Sequence, residues 1–140
     1  MPIATDTTPS EARGVLQEAT AVRVIISFPG NDYQLHLTPE RPPTTPVGKR
    51  IQGIIRGQAR RIDTVKAGGQ FVEPVMGRPR IVQGRIAEVN PSQNGPGTIT
   101  VHAPMPIVLK VGDLQRADQF KVGDSVTTHV LPGATFSPTS

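Results

Sequence analysis

The chain has 140 residues, no Cys and a formal net charge of +4, so it fits one domain or two very small ones and has no disulfides, thiolate catalysis or Cys-ligated zinc. Hydrophobic residues make up 36% and aromatics 4%, while Gly and Pro number 14 and 15, a balance that suits a turn-rich β fold with an aliphatic core rather than helices. No stretch approaches the ~18 apolar residues of a membrane helix, and the polar, acidic start from Met1 to Arg13 lacks a basic lead into an apolar run. The expectation is a soluble, cytoplasmic, all-β protein with no membrane partner.

Residues 1–12 read as a disordered tail, residues 13–79 as a first β half, residues 80–132 as a second, and residues 133–140 as a C-terminal tail. In the first half, Val22, Val24, Ile26 and Phe28 alternate with Arg23, Ile25 and Ser27, the period of a half-buried strand. Pro29-Gly30-Asn31-Asp32 is a turn, and Tyr33, Leu35 and Leu37 begin the returning strand of a hairpin. Pro39 to Pro46 has too many prolines for a central strand and reads as an extended connection. A long strand from about Lys49 to Val65 follows, with Gly53 and Gly57 marking sharp coiling where a sheet closes. Phe71 to Met76 returns, interrupted by Pro74.

In the second half, Arg80 to Val89 is a strand and NPSQNGPG, Asn90 to Gly97, a loop. Ile99 and Val101 face inward, Pro104 and Pro106 mark a break, and Ile107, Leu109 and Val111 alternate in the next strand. Asp113 to Gln119 is the one expected helix, capped by Asp113 with Leu114, Ala117 and Phe120 on one face. Val126, Thr128 and Val130 belong to a last strand.

The two halves share a template. Gly14-Val15-Leu16-Gln17-Glu18-Ala19 and Gly84-Arg85-Ile86-Ala87-Glu88-Val89 have Gly, a branched apolar residue two on, Glu at four and an apolar residue at five. Each is followed by two strands, a connection, and a Val-Gly step into a further strand, Val47-Gly48 in one half and Val122-Gly123 in the other. Glycine there allows the positive φ with which a chain turns into a sheet. The repeat implies two small barrels in tandem, or one barrel with pseudo-twofold symmetry.

The order strand, strand, strand, short helix, strand over residues 80–131, with Phe120-Lys121-Val122-Gly123-Asp124-Ser125-Val126 entering the last strand, resembles OB-fold barrels at the level of fold. The resemblance implies a five-stranded, partly open barrel with a helix after its third strand, binding ligand on strands two and three and the adjoining loops. The fifth strand is hard to find after Leu131, and residues 62–82 are a candidate source of the missing pairing.

Charge is concentrated in the middle. From Val47 to Ala87 nine basic residues face only Asp63 and Glu73, a net of +7 that leaves −3 for the rest of the chain. On the even positions of the long strand, Arg50, Gln52, Arg56, Gln58 and Arg60 form a polar stripe, extended by Arg78, Arg80 and Arg85. Guanidinium groups at the ~6.6 Å spacing of one strand face can follow a phosphate backbone. The expected partner is therefore nucleic acid or another polyanion, although the scarcity of aromatics speaks against single-strand binding by aromatic stacking. The alternative is a structural or protein-interaction module that self-associates as a homo-oligomer.

Catalysis finds no motif. The carboxylates are scattered, no nucleophile elbow or phosphate loop occurs, and no cofactor is implied. His36, His102 and His129 fall on outward positions without metal-ligand spacing. The segment His102-Ala103-Pro104-Met105-Pro106 resembles the metal-binding stretch of small periplasmic copper-binding OB proteins, but these use a Trp and this chain has none. The expectation is a non-enzyme without a metal.

Overall fold

The computed structural model describes residues 10–66 and 68–139. Among the described residues eleven strands follow in chain order: β1 (Glu11–Ala19), β2 (Val24–Ser27), β3 (Gln34–Pro39), β4 (Arg50–Thr64), β5 (Phe71–Glu73), β6 (Met76–Gly77), β7 (Ile81–Asn90), β8 (Thr98–His102), β9 (Pro106–Lys110), β10 (Ser125–Val130) and β11 (Thr135–Pro138). Apolar residues at every second position produce this pattern. Val24, Ile26 and Phe28, then Leu35 and Leu37, then Ile99 and Val101, then Ile107, Leu109 and Val111 are all buried, as their alternation predicts.

A closed five-strand barrel is built from β4, β10, β7, β8 and β9. Successive neighbours are antiparallel, and β9 returns to β4 in parallel through Arg56–Val108, Gly57–Leu109 and Gln58–Lys110. This closure is consistent with an OB-like fold. Its last strand comes from the C-terminal part of β4, upstream of the other four in sequence. The N-terminal part of β4 belongs to a second ring of pairings. There β1 pairs with β2, β2 with β3, β3 in parallel with β11, β11 with β4, and β4 with β1. The long strand is thus shared, and the boundary expected near residue 79 does not separate the two rings.

The local geometry at the corresponding positions is alike. The β1–β2 ladder slips between Leu16 and Glu18, and the β7–β8 ladder between Ile86 and Glu88. Gly48 N–H donates to Leu16 O at 2.7 Å, and Gly123 N–H donates to Ile86 O at 2.8 Å. Both glycines hold a left-handed backbone, at φ +92° and +96°, which a side chain resists.

Four expectations change. The helix near 113–119 shrinks to a 3-10 turn, Ala117–Gln119. Ala117 and Phe120 are buried, while Leu114 is wholly exposed, so the apolar stripe is too narrow to hold a longer helix against the barrel. The C-terminal stretch read as a tail contains β11, whose Phe136 is buried in the core. Its four-residue, proline-ended pattern, with Phe136 and Pro138 buried, is too short to show an alternation. At the other end β1 takes in Glu11 and Ala12, and the rest of the expected tail, residues 1–9, lies outside the described residues. Val22, expected inside, is exposed because β2 starts only at Val24.

The junction of β3, β11 and β4 is tied by Glu40. Its carboxylate accepts from Thr135 Oγ1 at 2.6 Å and from Arg56 Nη1 at 3.0 Å. The Thr135 hydrogen bond holds the Glu40 carboxyl below its ordinary value of 4.5; partial burial opposes the shift, and Arg56 and Arg41 reinforce it. A carboxyl lowered on folding contributes stability above its unfolded value, and that contribution disappears as pH falls through the folded value. Glu40→Gln is expected to flatten the fall in thermal midpoint on acidification below pH 4.5. Parallel acid unfolding curves for the two proteins would show that the cluster contributes nothing.

Candidate functional site

The alternation along β4 puts Arg50, Gln52, Arg56 and Arg60 on the side opposite Ile51, Gly53, Ile55 and Gly57, as expected; these odd positions are core or closely packed, and Ala59 continues them. At the end of this run the strand bulges. Ala59 opposes Val130 and Ile62 opposes Thr128, so Arg60 and Arg61 together face His129. A bulge places an extra residue on one strand and turns side chains outward. Its backbone is satisfied from two directions. Gln115 accepts from Ile62 N–H at 2.8 Å and donates to Ile62 O at 2.9 Å, while Thr128 Oγ1 donates to Arg61 O at 2.6 Å.

Arg80 is held just as firmly. Its N–H donates to Glu73 O and its carbonyl accepts from Val130 N–H, each at 2.8 Å. Before it, Gly77 (φ +135°) turns the chain, and Arg78 precedes the buried Pro79, a step that favours extended backbone. The result is one cavity of about 320 Å³ lined by Arg60, Arg78 and Arg80, with His129 and the apolar Leu131 and Pro132. A second, of about 340 Å³, is lined by Glu73, Pro74, Arg80, Ile81 and His129. Arg80 and His129 are common to both.

The remaining predicted positions lie elsewhere. Arg50 opens β4 and pairs with Val15 of β1. Gln52 is half-buried, with its carbonyl accepting from Thr139 N–H at 3.0 Å. Arg56 is matched by Glu40, and Arg85 lines a separate open depression with Gly68, Gly69 and Gln70. The ion pairs among the described residues engage Arg23, Arg56, Arg61 and Arg116. Arg60, Arg78 and Arg80 are in none of them.

Sequence reasoning missed His129 as a member of this wall. Its outward position was legible, but its place between Arg60 and Arg80 depends on β10 lying between β4 and β7. No cluster of three His, Cys, Asp or Glu placed to hold a metal ion occurs among the described residues, and no helix among them is long and apolar enough to cross a membrane. Compared with known proteins, the chain matches no family model, no curated protein and no solved structure.

Proposed function

We propose that this protein is a non-catalytic binding module for nucleic acid or another polyanion, and that Arg60, Arg78 and Arg80 with His129 are the centre of its binding surface. The observation that carries this reading is the convergence on one cavity of three arginines outside the ion pairs of the described residues. A guanidinium without a carboxylate partner keeps its donors for phosphate or sulfate oxygens, in a fork suited to paired acceptors. Arg50, Gln52 and Arg85 are outlying contacts that a long ligand reaches, and Arg56 has its charge matched at home. Self-association through strand edges has less support, since both rings of β4 pairings return to their starting strand.

The same reading extends to architecture. The chain is two OB-like copies that exchange their closing strands: β1 to β4 are closed by β11, and β7 to β10 by the far end of β4. The matched bulges, the matched Gly48 and Gly123 hydrogen bonds and the shared Gly-x-x-x-Glu phrase support this duplication.

Labelled single-strand, duplex and RNA oligonucleotides, titrated at several salt concentrations, test the function. Replacing Arg60, Arg78 and Arg80 together by Ala is expected to reduce the slope of log affinity against log salt by about 2–3, at ~0.7–0.9 per lost phosphate contact. Arg116→Ala, which removes a guanidinium already paired with Asp118 away from this cavity, should change it little. Equal slopes for the wild type and the triple variant, or no salt-sensitive binding to any probe, would sink the reading.

A further inference from the structure

The two cavities are not merely positive. The larger share of charge lies in the one lined by Arg60, Arg78 and Arg80, and its remaining lining includes Pro79, Val130, Leu131 and Pro132. Leu131 is 38% exposed, a large apolar side chain left open beside three guanidinium groups. The neighbouring cavity is apolar at Pro74 and Ile81 and carries one carboxylate, Glu73. Arg80 and His129 form the wall between them.

A ligand that is only a string of charges gains nothing from Leu131, Pro132 or Pro79, and Glu73 repels it. A single-stranded nucleic acid alternates one anionic group with one flat, weakly polar face. Bases splayed from a single strand stack on guanidinium planes as well as on aromatic rings, and proline and leucine side chains offer further apolar cover. A carboxylate accepts from the exocyclic amine of a base, as Glu and Asp do from cytosine N4. It has no favourable contact with the carbonyl that thymine or uracil presents at the same position. Cavities of about 320 and 340 Å³ lie at the lower end of the small-ligand range, the size class of one base with its sugar.

We infer that the two cavities hold consecutive bases of a single-stranded nucleic acid, with the linking phosphate over Arg80 and His129 and an amine-bearing base beside Glu73. This rests on the polyanion reading above and narrows it to one ligand class and one specificity-determining residue. Guanidinium planes and proline faces here take the part that aromatic platforms play in other single-strand binders, which reconciles single-strand binding with an aromatic content of 4%.

The test uses the full chain and unlabelled competitors against a labelled cytosine homo-oligonucleotide of about 10 residues, within the span one small barrel covers. The competitors are DNA and RNA oligonucleotides, duplex DNA, heparin and inorganic polyphosphate, compared at equal charge. Oligo-dC is expected to bind about five- to tenfold more tightly than oligo-dT, the scale of one good base contact. Glu73→Leu should abolish that preference. Glu73→Gln, whose amide accepts from the cytosine amine but can also turn to donate to the thymine carbonyl, should diminish it. Leu131→Ser should weaken oligonucleotide binding and leave polyphosphate binding unchanged; its thermal midpoint reports whether it is folded. Polyphosphate, heparin or duplex competing as well as oligo-dC would overturn this inference while leaving the polyanion reading intact. A dC preference that survives Glu73→Leu would overturn the role of Glu73. Failure of every polyanion to bind would remove both.

Discussion

Phe136→Ala is expected to lower the unfolding free energy by about 3–5 kcal/mol, the range for emptying a large aromatic site in a packed core. Phe136 is 1% exposed and sits in β11, opposite Ile55 of β4 and beside Pro39 of β3. A side chain at Gly53 would collide with its ring, so the space around it is filled. β11 has only four residues, and no other side chain on it is of comparable size. Typical domains are stable by ~5–15 kcal/mol, so the loss is a large share of the total. Urea unfolding monitored by circular dichroism gives the number, read from the midpoint at unchanged slope. Amide exchange locates it: β1, β2 and β3 should lose protection before β7, β8 and β9. A cost under ~1 kcal/mol would mean that β11 is an ornament on an otherwise complete sheet, well below the usual Phe→Ala range.

Gly14→Ala and Gly84→Ala should each destabilise the protein by about 1–3 kcal/mol, the usual cost of overpacking. An added methyl at Gly14 would run into the Ser27 carbonyl oxygen and Ile26 Cγ2; at Gly84 it would run into the His102 carbonyl oxygen and lie 2.8 Å from its carbon. At Gly84 the obstacles are all backbone, which yields only by moving a strand. Neither glycine has a left-handed backbone, so close approach alone decides the sign. In open space the same change stabilises by ~0.4–1 kcal/mol through the unfolded chain. Thermal unfolding of the two single variants separates the cases. Comparable losses at both sites agree with duplicated halves, and stabilisation at either would contradict the packing described.

How far the sequence carried depended on the range of the interactions involved. Period-two stretches located most strands, though not β1 or β11, because burial of alternate side chains is a local property of a strand in a sheet. The two Gly-x-x-x-Glu phrases, Gly14 to Glu18 and Gly84 to Glu88, were legible as phrases, whereas the ladder slips at Leu16/Glu18 and Ile86/Glu88 appear only in the pairing. The 3-10 turn and β11 were harder to find, since each has only a few residues and its placement relies on contacts distant in the chain. Thr38 N–H donates to Ala134 O at 2.9 Å, a contact between residues far apart in the chain.

Composition, alternation and glycine spacing determined by themselves that the chain is all-β and that its basic residues crowd the middle. Tertiary structure alone decided which arginines meet. Arg50, Arg56 and Arg60 share a strand face, yet Glu40 matches the second and the strand's length separates the first from the third. Arg60, Arg78 and Arg80 line one cavity because β10 lies between β4 and β7. The physical reason is reach: alternation is set by neighbours along one chain, whereas the pairing of charges is set by which strands lie side by side.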